Sequence, residues 1–84
     1  MQVFVRHNYK LPRFDAYVEW TAGGYLTYEI NDGCLDIQST VVKEELRGNG
    51  LEEALIEAAV KHADKKGLKV TATCGYAAER LSSQ

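Results

Sequence analysis

The spacing of hydrophobic residues changes once along this chain, within residues 43–50. Before this segment, apolar residues alternate with polar ones, as in strands that bury one face, and after it they recur at helical spacing. We therefore expect strands first and a helix afterwards. The alternation predicts an antiparallel meander of four strands over residues 3–6, 14–20, 25–30 and 34–42, with turns at Ala22-Gly23-Gly24 and Asn31-Asp32-Gly33.

The helical segment begins at Leu51, and its apolar residues line one face of a helix. These residues are Leu51, Ala54, Leu55, Ala58 and His62, with Ala59 and Ala63 widening the stripe. We expect the helix to end near Lys65-Lys66-Gly67, because cations favour the negative end of a helix and glycine favours a left-handed cap. Residues 68–73 then predict a fifth strand, and residues 75–81 a short closing helix.

The predicted fold is of the α/β (α+β) class. It combines the meander, a main helix after a glycine loop, a fifth strand parallel to the fourth, and the short C-terminal helix. The 84 residues suffice for one hydrophobic core, so we expect a single domain over residues 1–84. A content of 45% hydrophobic and 26% charged residues is that of a folded globular protein.

Charge and composition exclude several classes of partner. The net charge of −2 argues against nucleic-acid binding, which needs clustered basic residues. No apolar run approaches the roughly 20 residues of a membrane span, and the start does not resemble a signal peptide, so we expect a cytoplasmic protein. Cys34 and Cys74 lie in no Cys-x-x-Cys or Cys/His spacing, which predicts free thiols and no metal site.

The glycine loop Arg47-Gly48-Asn49-Gly50 lies between a strand and a helix. Glycines let the backbone approach a ligand, and the free N–H groups at the start of a helix attract anions such as phosphate. Taken alone, the loop is a weak signal, because the two glycines can simply form a tight turn in which Asn49 takes the left-handed conformation. The motif by itself therefore favours a structural turn over a phosphate site.

The flanks of the loop carry more information. Residues 40–51 (TVVKEELRGNGL) are followed by the helix, by Gly67-Leu68-Lys69-Val70 and by Thr73-Cys74-Gly75-Tyr76. In this order and spacing they resemble the compact, single-domain branch of the GNAT acetyltransferase superfamily, over roughly residues 23–81.

The resemblance implies acetyl-CoA (coenzyme A) as cosubstrate and acetyl transfer to an unidentified amine acceptor. The pantetheine arm would run beside Val41 and Val42, and the pyrophosphate would rest on the backbone N–H groups of Arg47, Gly48, Asn49, Gly50 and Leu51. In compact relatives a cysteine follows the fifth strand, and Cys74 occupies that place. Cys74 would then take the acetyl group or lie near the thioester. Side-chain chemistry alone favours a small buried residue, and only the resemblance brings the two interpretations close to even.

The sequence departs from the family pattern at three positions. Glu52 stands where Gly or Ala is expected, Asn49 where a basic residue is common, and Ser39 where a histidine is common. A carboxylate beside a diphosphate is repulsive, so Glu52 favours an alternative function as a non-catalytic, GNAT-like coenzyme A-binding or protein-interaction module. A third interpretation, a nucleic-acid or peptide-binding sheet built on the aromatic strands, is disfavoured by the acidic net charge.

The remaining candidates have structural explanations. We expect His62 to be packed at the edge of the core, and His7 to be solvated in a polar segment. Glu19, Glu29 and Asp36 alternate with apolar residues and are expected on the wet face of the sheet. An edge strand at residues 3–6 permits a weak homodimer as an alternative to a monomer.

Overall fold

A five-stranded mixed sheet packs against one long helix in the computed structural model, which describes residues 2–73. The strands lie in chain order, β1 to β5, with the first four antiparallel and β5 parallel to β4. This confirms the predicted meander and the crossover through the helix. The elements are β1 (Val3–Asn8), β2 (Arg13–Val18), β3 (Thr21–Asn31), β4 (Cys34–Val42), a 3-10 turn (Glu44–Leu46), α1 (Leu51–Lys65) and β5 (Lys69–Ala72). The predicted C-terminal helix at residues 75–81 lies outside the described residues.

The turn between β2 and β3 is not where the sequence predicts it. It consists of Glu19 and Trp20, whose φ angles are +47° and +75°, while Ala22, Gly23 and Gly24 all lie inside β3. A two-residue hairpin turn of this kind matches the right-handed twist of the strands, although it usually contains Asn or Gly. The prediction of a turn at residues 22–24 is therefore wrong.

The glycine pair is needed inside β3 for packing. A Cβ atom on Gly24 would lie 2.6 Å from the carbonyl oxygen of Val41, and one on Gly23 would lie 2.7 Å from the Leu51 side chain. Gly23 is also the extra residue of a bulge, since Ala16 pairs with Gly24 and Tyr17 with Ala22. The absence of side chains here lets β4 and the start of α1 approach β3 closely.

The core lies between α1 and one face of the sheet. From α1 it takes Leu51, Leu55, Ile56, Ala59 and Ala63, all nearly inaccessible to solvent. Ala54, Ala58 and His62, also predicted on the buried stripe, are only partly buried. The sheet contributes Phe14, Ala16, Leu26, Tyr28, Leu35, Ile37 and Val42. Each fully buried large aliphatic side chain contributes about 1.5–3 kcal/mol to the free energy of unfolding.

The two other predicted chain reversals are confirmed. Asp32 and Gly33 form a two-residue hairpin turn with φ angles of +50° and +76°. Gly67, at φ +70°, ends α1: its N–H donates to the Asp64 carbonyl, and the Leu68 N–H donates to the Ala63 carbonyl at 2.8 Å. This pair of hydrogen bonds satisfies carbonyls that the helix itself leaves free. No helix within residues 2–73 is long and apolar enough to cross a membrane.

Candidate functional site

The glycine loop uses both of its glycines in the left-handed conformation. Gly48 has φ +82° and Gly50 has φ +84°, values that other residues adopt only with strain. Asn49 is not in this conformation, so its predicted left-handed geometry is wrong. Its side-chain amide instead donates to the Leu46 carbonyl at 3.1 Å, which ties the loop to the preceding 3-10 turn.

A row of free backbone N–H groups follows from this geometry. Gly50 caps α1 without a side-chain hydrogen bond, and the first bond into the helix is from the Ala54 N–H to the Gly50 carbonyl at 3.0 Å. Within the described part of the chain, the N–H groups of residues 48–52 donate to no acceptor. The Arg47 N–H is already bonded to the Glu44 carbonyl, so the row begins at Gly48. Such an array favours an anion, with the helix dipole adding to the attraction.

The second half of β4 provides the strand edge beside this loop. Within residues 2–73, β5 pairs with β4 over residues 34–37, and the last bond between them runs from the Thr73 N–H to the Ile37 carbonyl at 2.9 Å. β4 has a bulge at Gln38, because Thr27 pairs with Ser39 while Tyr28 pairs with Ile37.

The backbone direction along this edge alternates. The Lys43 N–H donates to the Gly23 carbonyl of β3 at 2.9 Å, so the Val41 backbone also faces β3. Thr40 and Val42 therefore turn their backbone N–H and C=O groups away from β3. Of the two valines predicted to pair with a ligand, Val42 has the available backbone. The Val41 side chain is 45% exposed on the face opposite α1.

A groove of about 320 Å³ joins the end of β4 to the loop, and it is lined by Thr40, Val42, Arg47 and Glu52. Leu51 is fully buried, so only its backbone N–H can meet a ligand. Arg47 and Glu52 both border the groove, yet no ion pair within residues 2–73 joins them. The Arg47 guanidinium attracts an anion there, and the Glu52 carboxylate repels it.

Of the two cysteines, the structure describes Cys34 and does not describe Cys74. Cys74, the predicted reactive thiol, lies outside the described residues. Cys34 is a free, partly buried thiol at the start of β4, at the end of the strand remote from the loop. No group of three His, Cys, Asp or Glu side chains suited to a metal ion occurs between residues 2 and 73.

Glu29 and Asp36 are partnered by neutral groups. Glu29 accepts hydrogen bonds from Asn31 and Gln38, which hold the pKa of its carboxyl below the usual value. Asp36 accepts from Thr71 and Thr73 across the β4–β5 pair. Both residues lie on the face that does not contact α1, as the alternation predicts. Glu19 lies in the turn between β2 and β3, so its predicted place on a strand is wrong.

The prediction for His7 is wrong. Its Nε2 lies 2.5 Å from the Tyr28 hydroxyl, and its ring stacks on Phe14 with centroids 4.1 Å apart. Burial lowers the pKa of His7, and the charge of His62 lowers it further. The sequence does contain the signal, because residues 3, 5 and 7 of β1 share the face toward α1. His62 packs edge-on against His7 at 4.5 Å, at the edge of the core as predicted.

Fold and groove together define a class: an α+β domain with a glycine loop at the start of its main helix and the end of β4 beside it. A family model described as GCN5-related N-acetyl-transferase matches residues 13–84. Because this match spans most of the sequence, the chain belongs to the GCN5-related N-acetyltransferase (GNAT) family, which confirms the resemblance. No curated protein matches the chain.

Solved structures share the fold. A GCN5-like protein from Staphylococcus aureus is 28% identical with a TM-score of 0.74, covering 95% of this chain and 78% of that one. A ribosomal-protein-alanine N-acetyltransferase from Brucella melitensis is 17% identical with a TM-score of 0.70, over 86% of this chain and 60% of that one. An aminoglycoside acetyltransferase from a soil metagenome is 20% identical with a TM-score of 0.69; the match covers 84% of this chain and only 54% of that enzyme. The chain thus spans about half the length of that larger relative.

Proposed function

We propose that this protein is a cytoplasmic, acyl-CoA-dependent N-acetyltransferase that binds acetyl-CoA in the groove between β4 and α1. The observation that carries the proposal is the row of free N–H groups at residues 48–52, beside the backbone of Val42 at the end of β4. A diphosphate needs such donors, and an amide chain needs a strand backbone next to them. Membership of the family supports the same ligand.

Each part of the groove has a role in this proposal. The N–H groups of residues 48–52 hold the pyrophosphate, while the backbone of Val42 pairs with the amides of the pantetheine arm. Arg47 borders the phosphate end and adds attraction, because a guanidinium suits phosphate oxygens.

Acetyl transfer requires an amine in its neutral form. The amine nitrogen attacks the thioester carbon, the carbon–sulfur bond breaks, the thiolate of coenzyme A leaves and the amine loses its proton to solvent. Backbone donors near the bulge at Gln38 would stabilise the developing oxyanion. Cys74 is our candidate for a thiol that accepts the acetyl group before the amine does. Its thiolate would attack the thioester carbon, forming a new carbon–sulfur bond while the bond to coenzyme A breaks and the coenzyme A thiolate leaves. The amine would then attack this acetyl group, release the Cys74 thiolate and lose its proton to solvent.

A second candidate function rests on Glu52. Its side chain borders the groove, where a carboxylate opposes a diphosphate. A non-catalytic domain that binds coenzyme A weakly, or serves as an interaction module, would carry such a residue without penalty. The two functions differ in measurable affinity for acetyl-CoA and in turnover.

The test compares Gly50→Ala with Gly33→Ala. Both glycines have positive φ and no heavy atom within 4 Å of an added Cβ, so each substitution imposes a similar backbone cost of about 1–2 kcal/mol. Only Gly50 belongs to the loop. We expect acetyl-CoA, titrated by heteronuclear NMR and calorimetry, to bind Gly50→Ala at least about tenfold more weakly than the wild type, a loss of about 1.4 kcal/mol. Equal affinities in the two variants would refute the role of the glycine loop, and no binding to the wild type at millimolar ligand would refute cofactor binding.

The cysteine step has its own control. Incubation with acetyl-CoA and intact-mass analysis should detect an acetyl thioester on the wild type and on Cys34→Ala, but not on Cys74→Ala. Acetylation of an amine panel at unchanged rate by Cys74→Ala would eliminate the thiol step and leave direct transfer.

A further inference from the structure

A second cavity, which we call the histidine pocket, lies at the opposite end of α1. It has a volume of about 440 Å³ and is lined chiefly by Tyr9, Tyr28, Ile30, His62, Lys66 and Leu68. A helix rises 1.5 Å per residue, so the 15 residues of α1 place this pocket roughly 20 Å from the glycine loop. It is therefore no part of the proposed acetyl-CoA groove.

The walls of the histidine pocket are aromatic, and their rings pack on neighbouring side chains. The Tyr9 ring packs on His7 with centroids 3.9 Å apart, and His7 in turn stacks on Phe14. Tyr28 is 5% exposed, and its hydroxyl is held by His7 Nε2. Tyr9 nevertheless remains 72% exposed, so its ring presents area to a ligand. Rings fixed in this way favour a flat, apolar molecule, and the volume suits a single-ring compound.

The charge of the histidine pocket is positive. Lys66 is the charged residue among its described lining, and no carboxylate within residues 2–73 forms an ion pair with it. The carbonyls at the end of α1 do not need this ammonium, because the N–H groups of Lys66, Gly67 and Leu68 already bond to them. The lysine is thus available to an anion.

The charged groups that act on His62 are also positive. Burial lowers the pKa of His62, and the positive charges of Lys66 and Lys65 lower it further. Among the described residues the ring of His62 makes no hydrogen bond, although it contacts the rings of His7, Tyr9, Phe14 and Tyr28. Its nitrogens can therefore serve a ligand within the pocket.

We propose that the histidine pocket binds a small aromatic carboxylate, with the ring against Tyr9 and His62 and the carboxylate on the Lys66 ammonium. The aromatic walls select the ring, and the unpaired cation selects the acid. A cationic ligand is disfavoured, since the lining offers it no carboxylate.

Benzoate is the probe, and benzamide is its neutral analogue of nearly the same shape. In a heteronuclear NMR titration of the full chain, we expect benzoate to shift the amide resonances of Tyr9, Ile30 and Leu68 in a saturable way, and to bind about tenfold more tightly than benzamide. Cyclohexanecarboxylate, which keeps the charge and loses the flat ring, should also bind more weakly.

Lys66→Gln should reduce the affinity for benzoate to that for benzamide, while Lys65→Gln, a charge-matched control outside the lining, should retain most of it. Equal binding of benzoate and benzamide, shifts elsewhere on the molecule, no shift at millimolar benzoate, or equal losses in both variants would each overturn the proposal. Thermal unfolding of both variants checks that they remain folded. The result is independent of acetyl-CoA binding, so either proposal can fail while the other stands.

Discussion

Replacement of Glu52 by Gln should strengthen the binding of acetyl-CoA. Glu52 lies in the first turn of α1, partly buried, and borders the groove together with Arg47. A ligand diphosphate on the N–H groups of residues 48–52 would share the groove with this carboxylate. Gln keeps the size and helix preference of the side chain and removes only the charge.

The size of the effect follows from Coulomb's law. Two unit charges about 6 Å apart in a solvated groove repel by roughly 0.7 kcal/mol. A diphosphate carries about two charges, so the total is about 1.4 kcal/mol, or a tenfold change in Kd. Since mobile ions screen such a groove over about 8 Å at physiological ionic strength, the gain should shrink as salt is added.

Calorimetric titration with acetyl-CoA at low and high salt measures both effects. Glu53→Gln is the matched control: Glu53 is exposed, stands in the same helical turn, and is not part of the groove lining. Both substitutions lose a similar interaction with the helix dipole, worth about 0.3–1 kcal/mol in stability. Equal affinities of the two variants, or a gain that does not depend on salt, would refute the electrostatic reasoning.

Two further predictions concern stability. Gly24→Ala should lower the free energy of unfolding by about 1–3 kcal/mol, because the new Cβ would lie 2.6 Å from the Val41 carbonyl oxygen; a urea midpoint equal to that of the wild type would contradict the close approach of β3 and β4. The pKa values of His7 and His62 are lowered from 6.5 in the folded protein, so the unfolded chain binds more protons and stability must fall as the pH drops below about 6.5. Urea denaturation between pH 7 and pH 5 should show this loss, and His62→Gln should reduce the pH dependence; an unchanged dependence would exclude His62 as a contributor.

Several features of the fold were predictable because they depend on local chemistry. The change of hydrophobic period near residues 43–50 predicts the order of the elements, and β4 has the bounds that the alternation gives. Gly67 and the Asp32-Gly33 turn are identified by the left-handed backbone that each reversal needs. The glycine loop predicts an anion site for the same reason, since the conformation of a few residues frees the N–H groups.

Other features depend on residues that are distant in sequence. Gly23 and Gly24 predict a turn from sequence alone. In the structure they lie in a strand, where β4 and Leu51 pack closely against them. The Val41 backbone faces β3 and the Val42 backbone faces away from it, and this difference is set by the pairing of β4 with β3. The bulge at Gln38 depends on the register of the same two strands.

The histidine pocket shows the difference most clearly. The sequence by itself determined the order of strands and helix, the caps and the loop chemistry, because these depend on backbone preferences within a few residues. Only the tertiary structure brought His7 and Tyr28 within hydrogen-bond distance, 21 positions apart, and set His62 beside them. Contacts of this kind arise from packing across strands and helix, and short-range preferences carry no information about which distant side chains will meet.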